Sequence, residues 1–374
     1  MAISSTLFIN QKGSTTTLKQ PKEVSFYSRT QGGECLVHDD SRLKYYYLPN
    51  ADLDSHLDLS SGFKRFKNCE RDFQDVGSIH PLLDTIMGYE ETKSKPLSAD
   101  IVGFSDTIIK IILSAFHNTK INPIDMRVVS YRGQLFIKNM ASTGVHDPDM
   151  REYASYKFET LATLAEPLAY TDREILNRRP KKISNNGDKY YTLVKTGVAS
   201  AKLVLASEVN CIFDFKQQGK DNLRHYCFLE CSSAVNNIND SRRFENQFFR
   251  NWLKCFLVGI PRIICGFYDE KYIVKTVEEY SLDEVPLLLK EHSPEAANKC
   301  TNAIKWYGLF TEWLLKIIPR DKNDHSIRPF KLQLADNHLK LTEIDAADPE
   351  YIGIVEGEDI LSSKFKVWRS SQAV

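Results

Sequence analysis

Strand patterns that fold back through short turns constrain the fold of this chain more than any other feature. The segment MRVVSYRGQLFIKN (Met126–Asn139) contains two alternating runs around an Arg-Gly turn, and FKLQLADNHLKLTEID (Phe330–Asp345) contains two more. Both patterns are typical of β-hairpins. A third β-type run, AKLVLASEVNCIFDFK (Ala201–Lys216), is followed after a polar turn by RHYCFLECSS (Arg224–Ser233). The short connection predicts that these two runs pair.

Helical periodicity occurs between the strands. Apolar residues recur at helical spacing in four segments, which are Ser105–Phe116, Tyr156–Leu168, Asp240–Phe256 and Cys300–Ile318. Ser105 and Asp240 are the residue types that cap helix N-termini, and we expect them to do so here. Strands and helices intermixed with hairpins predict an α+β fold, with mixed or antiparallel sheets surrounded by helices in a single compact domain covering residues 1–374.

Composition narrows the class of protein. The 374 residues carry 49 basic and 49 acidic side chains, so the formal net charge is zero. This balance argues against a general nucleic-acid binder, although it permits a nucleic-acid enzyme with a small basic channel. No run approaches the length of about 20 apolar residues that a membrane span needs, so no membrane association is expected. The eight scattered cysteines predict reduced thiols in a cytosolic or nuclear protein.

The basic run NRRPKK (Asn177–Lys182) resembles a short nuclear import signal. An exposed loop interrupted by Pro180 is the alternative interpretation.

The stretch HYCFLECSS (His225–Ser233) places a His, two Cys and a Glu within seven residues. In an extended strand His225, Cys227 and Cys231 share one face. Residues two apart rise by roughly 6.6–6.8 Å, which spreads them too widely to bind one zinc ion. Buried thiols beside an ordinary histidine are therefore favoured over a zinc site.

Glu230 points to the opposite face of the same strand. If the two runs pair, Glu208 and Asn210 come near Phe228 and Glu230, and Glu159 of the preceding helix can join them. Carboxylates that converge on a sheet are how hydrolases hold Mg²⁺ or Mn²⁺. Exposed charges without a shared site are the alternative, and spacing alone leaves both open.

Five motifs spread along the chain carry a family resemblance. They are LKQPKEVSFYSRT (Leu18–Thr30), YKFETLATL (Tyr156–Leu164), EVNCIFDF (Glu208–Phe215), FLVGIPRIICGFYD (Phe256–Asp269) and AIKWYGLFTEWLLKIIPRD (Ala303–Asp321). The sequence resembles the DXO-type RNA 5′-end decapping nucleases. Within them it is similar to the fungal nuclear branch that partners the nuclear 5′→3′ exoribonuclease of the XRN class. The resemblance implies two β-sheets packed together, helices around them and one divalent-metal site.

The resemblance assigns the metal ligands to five positions, which this chain keeps unevenly. The helix acid is present as Glu159. The acid–apolar–Asp motif reads Glu208–Val209–Asn210, so its second acid is an amide. The Glu–apolar–Lys motif begins at Phe228, an aromatic ring where the family has a ligand, and the carbonyl of Leu229 is the remaining metal position. We therefore expect Mg²⁺ or Mn²⁺ binding to be weak or absent.

The substrate positions implied by the resemblance have also changed. Glu230 stands where the family has a lysine, Ser105 where it has an arginine, and Lys254 where it has a glutamine. Together with Glu208 these are the expected substrate-contacting positions. The resemblance places the catalytic positions at Glu159, Glu208, Asn210, Phe228 and Glu230. Together these five residues do not form an intact catalytic set.

Three functions remain open at this point. The leading expectation is a nuclear, non-catalytic partner that stabilises the exoribonuclease in RNA 5′-end quality control, ribosomal RNA maturation and transcription termination. The second is an active decapping nuclease with a rewired single-metal site formed by Glu159, Glu208 and Glu230. The third is a module that binds RNA 5′ ends.

Overall fold

A computed structural model describes residues 3–14, 17–73, 77–116, 123–140, 147–235, 237–292 and 298–372. The strands in these ranges are β1 Ser4–Phe8, β2 Leu18–Arg29, β3 Cys35–Val37, β4 Tyr45–Tyr46, β5 Ile101–Phe104, β6 Asp125–Tyr131, β7 Gln134–Asn139, β8 Thr163–Leu164, β9 Lys189–Val198, β10 Ala201–Val209, β11 Cys211–Ile212, β12 Tyr226–Ser233, β13 Arg262–Tyr268, β14 Val274–Ser281, β15 Arg328–Ala335 and β16 His338–Glu343. The helices are α1 Asn50–Leu53, α2 His80–Lys93, α3 Ser105–Leu113, α4 Met150–Ala162, α5 Arg173–Arg178, α6 Ile238–Val258, α7 Val285–His292, α8 Lys299–Ile317, α9 Tyr351–Val355 and α10 Ser363–Ser371.

The strands form two mixed sheets within one compact domain, as expected from the sequence. A ten-stranded sheet has the order β1-β16-β15-β6-β7-β5-β10-β9-β2-β3, and a six-stranded sheet has the order β14-β13-β12-β11-β4-β8. The predicted hairpins are β6–β7 and β15–β16, both antiparallel. The pairing of the two central runs is confirmed only for β11 and β12, because β10 belongs to the other sheet and the chain changes sheet at Asn210.

Three apolar layers hold the sheets and helices together. The largest lies between the sheets and includes side chains of α3, α6 and α8, such as Ile108, Phe249 and Trp306. A second layer packs α2 and α10 on the ten-stranded sheet. The third packs α4 on the six-stranded sheet. In this last layer a Cβ added to Gly266 would lie 2.4 Å from Cε2 of Phe158, so the glycine permits α4 to approach β13 closely.

Helix α4 begins and ends earlier than the sequence predicted. Its N-terminus is a capping box in which Asp149 accepts hydrogen bonds from the backbone N–H of Arg151 and Glu152, at 2.8 and 2.9 Å. The Glu152 carboxylate accepts from the Asp149 N–H in return at 3.0 Å. The helix gives way to β8 at Thr163, because the chain there joins the edge of the six-stranded sheet.

Two predicted caps are wrong, and one predicted strand begins later than expected. Asn237, not Asp240, caps α6, since its side chain accepts from the N–H groups of residues 239 and 240. Ser105 is the first residue of α3 and its side chain makes no capping hydrogen bond. His225 lies in a 3₁₀ turn before β12, so it does not share a strand face with the cysteines.

Five of the six residues of the NRRPKK run are exposed, and only Arg179 is buried. The run covers the end of α5 and a 3₁₀ turn. Arg179 is buried, forms an ion pair with Asp52 and lies over the ring of Tyr47. Within the described ranges, none of the helices combines the length and apolar character that crossing a membrane requires.

Candidate functional site

The structure brings the main predicted site residues into one cleft of about 530 Å³ between the two sheets. Glu159 comes from α4, Glu208 from β10, and Lys254 from α6. Asn210 occupies the link between β10 and β11, and β12 contributes three consecutive residues. The predicted residues that line the cleft are Glu159, Glu208, Asn210, Phe228, Leu229, Glu230 and Lys254.

Asn210 connects the helix to the six-stranded sheet through both ends of its amide. Its Nδ2 donates to Oε2 of Glu159 at 2.8 Å, and its Oδ1 accepts from the backbone N–H of Leu229 at 3.1 Å. An ionised carboxylate accepts hydrogen bonds but cannot donate them. An ionised aspartate at this position could therefore not donate to Glu159 as Asn210 does. The Asn210 amide therefore supplies both the donor that Glu159 uses and the acceptor that the Leu229 N–H uses.

Two lysines that the sequence analysis did not select neutralise the remaining carboxylates. Lys44 Nζ lies 2.5 Å from Oε1 of Glu159, and Lys189 Nζ forms an ion pair with Glu208. Burial alone would raise the pKa of the Glu159 carboxyl, but the charges of Lys44 and Lys189 and hydrogen bonds from Lys44 and Asn210 outweigh it, and its pKa falls to about 2. Burial opposes the charged form of Lys189 too, yet Glu208 and Glu159 raise its pKa well above the usual value.

The aromatic ring of Phe228 has a cation beside it. Lys254 Nζ lies 5.3 Å from the ring centroid, within the range of a cation–π contact. The same ammonium lies 3.8 Å from Asp106. Phe228 itself is buried and belongs to the core between the sheets, so the side chain at the position expected to hold a metal ligand contributes to packing.

Glu230 lies in the same cleft, and its hydrogen bonds within the described part of the chain come from neutral groups. Its Oε1 accepts from Ser155 Oγ at 3.2 Å and from the Cys231 N–H at 3.1 Å. The strand's cysteines point the other way into the α4 layer. Burial raises the pKa of the Cys231 thiol far above its usual value, as expected for a buried structural cysteine.

Ser105 is not among the residues that line the cleft. It is buried, and its hydroxyl donates to Ser207 Oγ at 3.0 Å. The hydroxyl therefore joins α3 to β10. This contact explains why a small polar side chain is accommodated there. Ser105 thus contributes to packing and not to the predicted helix cap.

The donor set does not fit a divalent cation well. Mg²⁺ and Mn²⁺ prefer several oxygen ligands, most of them anionic. Both oxygens of Glu159 are engaged by Lys44 and Asn210, and Glu208 is engaged by Lys189. In the described part of the chain, no three His, Cys, Asp or Glu side chains lie close enough together to hold a metal ion. Glu159, Glu208 and Glu230 therefore share a cleft without converging on one point.

Acidic side chains outnumber basic ones in the lining of the cleft, although ion pairs neutralise several of them: Arg29 pairs with Glu70, Lys44 with Glu159, Lys189 with Glu208 and Lys254 with Asp106. The lining contains six carboxylates and three cationic side chains, namely Glu70, Asp106, Glu152, Glu159, Glu208 and Glu230 against Lys189, Arg250 and Lys254. Acids carried on a helix and on adjoining strand ends are one arrangement by which hydrolases hold divalent metals.

The family follows from comparison with known proteins. Residues 19–366 match the model of the RAI1 like PD-(D/E)XK nuclease family. The chain is 52% identical to Decapping nuclease RAI1 of Saccharomyces cerevisiae, over 99% of this chain and 100% of that protein. It is 50% identical to Decapping nuclease RAI1 of Kluyveromyces lactis, over 99% of both chains. The chain therefore belongs to the RAI1-like family of decapping nucleases, and the resemblance seen in the sequence motifs is confirmed.

Solved structures agree with this assignment. Candida albicans Rai1, in complex with pU5-Mn²⁺, superposes with a TM-score of 0.87 at 33% identity and covers 100% of both chains. Scheffersomyces stipitis Rai1, in complex with (3'-NADP)+ and a calcium ion, gives a TM-score of 0.86 at 30% identity and covers 98% of this chain and 100% of that one. Divalent metals thus accompany related structures, and the family is one of divalent-metal nucleases.

Proposed function

We propose that this protein is a non-catalytic member of its family, a nuclear subunit that binds and stabilises an XRN-class 5′→3′ exoribonuclease. The supporting observation is the arrangement of Lys44, Glu159 and Asn210. Hydrogen bonds and an ion pair occupy both carboxylate oxygens of the helix acid Glu159. The role that follows is in RNA 5′-end quality control, ribosomal RNA maturation and transcription termination.

Charge and ligand count support the loss of hydrolysis. A metal ion assists phosphoryl chemistry by neutralising charge that develops on phosphate oxygens. Here Asn210 offers one neutral oxygen, which the Leu229 N–H already uses, and Phe228 offers none. Glu230 adds a negative charge where the family has a lysine, so it would repel the reacting phosphate.

An exposed apolar segment after α4 supports a protein partner. Leu168, Tyr170 and Ile175 are 49%, 72% and 56% exposed, and they lie within eight residues of each other along the chain. Contiguous exposed apolar patches mark interaction sites, and the nearness of these three residues in sequence makes the segment our candidate for one. We assign this segment, Leu168 to Ile175, to the exoribonuclease contact.

Turnover assays test the loss of catalysis. RNA bearing a 5′-triphosphate, an unmethylated cap or a 5′-monophosphate is incubated with the full chain and Mn²⁺. We expect no product above a metal-free control. Metal-dependent hydrolysis that Glu159→Ala abolishes would show that the proposal is wrong.

Co-purification tests the partnership. The wild-type chain should recover a large exoribonuclease from nuclear extract, and Leu168→Asp/Tyr170→Asp should lose it. Val367→Asp is the matched control, since Val367 is 69% exposed on α10. Failure of the wild-type chain to recover an exoribonuclease would contradict the partnership, and equal recovery by all variants would place the contact elsewhere.

A second function, a rewired hydrolase, is favoured by one observation. Three carboxylates, Glu159, Glu208 and Glu230, line the same cleft, and Glu230 has no ion-pair partner among the residues that the structure describes. Calorimetric titration with Mn²⁺ separates the two functions. Saturable binding at sub-millimolar metal, lost in Glu230→Gln, supports the rewired site, whereas no binding at millimolar metal supports the non-catalytic role.

A further inference from the structure

Two of the hollows that α4 borders differ in the charged side chains that line them. One is the acidic cleft, which Ser155 and Glu159 of α4 line. The other, of about 540 Å³, is lined by Thr160 of the same helix and by Thr163 of β8. We call this second hollow the basic groove, and its charged lining is Lys44, Arg65, Lys67, Lys182 and Asp188.

The acid in the basic groove is already neutralised by its own neighbours. The Asp188 carboxylate lies 3.0 Å from Nε of Arg42. It also accepts hydrogen bonds from the backbone N–H of Gln31 at 2.9 Å and from Nδ2 of Asn185 at 2.6 Å. The groove therefore presents net positive charge to an incoming molecule.

The cations of the groove are mostly uncompensated. Lys44 pairs with Glu159, but Arg65, Lys67 and Lys182 have no ion-pair partner among the residues that the structure describes. The pKa of Lys182 is lowered, first by its partial removal from water and then by the positive charge of Lys44, with Asp188 opposing the change. Like charges thus face one another across the groove, and a bound anion would relieve their repulsion.

A buried lysine fixes the wall that carries Lys182. Lys157 of α4 is fully buried, and its Nζ donates to the backbone carbonyls of Pro180 at 2.9 Å and Lys182 at 2.6 Å. The groove wall is consequently tied to the helix that also presents Glu159. This makes the groove a fixed feature of the fold.

We propose that the basic groove binds the phosphate backbone of single-stranded RNA. The inference rests on the proposed RNA 5′-end role and deepens it by moving the RNA contact out of the acidic cleft. In that cleft an RNA phosphate would meet Glu230, a carboxylate that has no ion-pair partner among the residues that the structure describes. Lys44 lines the groove and pairs with the cleft acid Glu159, so the basic groove adjoins the family cleft.

Fluorescence anisotropy with the full chain tests this inference. The probe is a 20-nucleotide single-stranded RNA with a 5′-monophosphate and a 3′ dye, in EDTA and at several salt concentrations. Lys67→Glu/Lys182→Glu should weaken binding at least tenfold. It should also reduce the salt slope by about 1.4, since each phosphate contact on a single strand contributes about 0.7. Lys340→Glu/Lys364→Glu, with the same change in charge on exposed lysines elsewhere, should bind as wild type does.

The other outcomes of these assays either support or overturn RNA binding by the basic groove. If the charge-reversal variant folds poorly, Lys67→Gln/Lys182→Gln is measured in its place. This variant should keep the wild-type thermal midpoint and show a smaller loss of RNA affinity and of salt slope. No RNA binding by the wild-type chain, or equal losses in both charge-reversal pairs, would overturn the inference. Tighter binding of a polyglutamate peptide than of RNA would assign the groove to an acidic protein instead. Because these assays need neither metal nor partner, the exoribonuclease proposal stands or fails separately by co-purification of the same variants.

Discussion

At the scale of single residues, the most informative contacts are those of Lys44 and Lys189. Their two ammonium groups supply the formal charge of one divalent cation next to Glu159 and Glu208. Sequence reasoning found the carboxylates from their motifs but could not find these lysines. Lys44 precedes Glu159 by 115 positions, and only the pairing of β4 with β8 and β11 brings it to the cleft.

Removing Lys44 should make the stability of the protein depend on pH in a defined way. The Glu159 pKa of about 2 in the folded protein lies below its ordinary 4.5. The stabilisation from this shift is present above pH 4.5 and is lost as the pH falls towards 2. Lys44→Met should lower the unfolding free energy by about 1–3 kcal/mol at pH 7. Urea denaturation at pH 7, 4 and 3 should show the difference from wild type shrinking at the lowest pH.

Lys340→Met is the control for that comparison, since Lys340 is an exposed lysine on β16. It should match wild type at every pH. A Lys44→Met deficit that stays constant between pH 7 and pH 3 would contradict the role of the ion pair.

Changing Asn210 should couple stability to metal. Asn210→Asp removes the donor to Glu159 and places two carboxylates together, so its thermal midpoint should fall without metal and recover with Mn²⁺. Asn210→Asp/Phe228→Glu/Glu230→Lys should bind Mn²⁺ at least tenfold more tightly than wild type, because ligand number sets the affinity. Thermal denaturation with and without Mn²⁺ measures the midpoint, and calorimetric titration measures the Mn²⁺ affinity. Equal Mn²⁺ affinity of the wild type and the triple variant would favour the rewired site.

At the scale of elements, the strongly periodic segments were predictable and the junctions were not. The β6–β7 and β15–β16 hairpins and helix α8 follow directly from local patterns, because their turns and apolar spacing are contained in the segment. The change of sheet at Asn210 has no local signal, since it depends on the side-chain contacts of that residue across the cleft. The start of α4 was missed because its capping box lies in a polar stretch that reads as a loop.

The link between α4 and the turn after α5 gives a prediction at this scale. Lys157→Met removes two hydrogen bonds from a fully buried ammonium to the carbonyls of Pro180 and Lys182. The unfolding free energy should fall by about 1–3 kcal/mol, and amide exchange in residues 178–184 should accelerate. Lys64→Met, which changes an exposed lysine, should leave both unchanged. Unaltered exchange in the Lys157 variant would mean that the turn is held by other contacts.

At the scale of the whole molecule, α4 organises three surfaces. One of its faces lines the acidic cleft, the next lines the basic groove, and the chain after its C-terminus presents Leu168 and Tyr170. Under the two proposals, a protein of zero net charge binds RNA at the basic groove and the exoribonuclease at the apolar segment after α4. In this arrangement the helix acid Glu159 has a structural role at the junction of these surfaces, because its ion pair with Lys44 joins the cleft to the groove.

The proposed association should be visible as mutual stabilisation. A partner that binds only the native state raises stability by about 2.7 kcal/mol when its concentration is 100 times the Kd. Mixing the protein with an XRN-class nuclear exoribonuclease should therefore raise the thermal midpoint of one or both, as followed by differential scanning fluorimetry. Leu168→Asp/Tyr170→Asp should abolish the shift because it places two charges in the apolar contact. Lys67→Glu/Lys182→Glu should keep the shift, since the basic groove is assigned to RNA. If the groove variant loses the shift and the apolar variant keeps it, the assignment of the two surfaces is wrong.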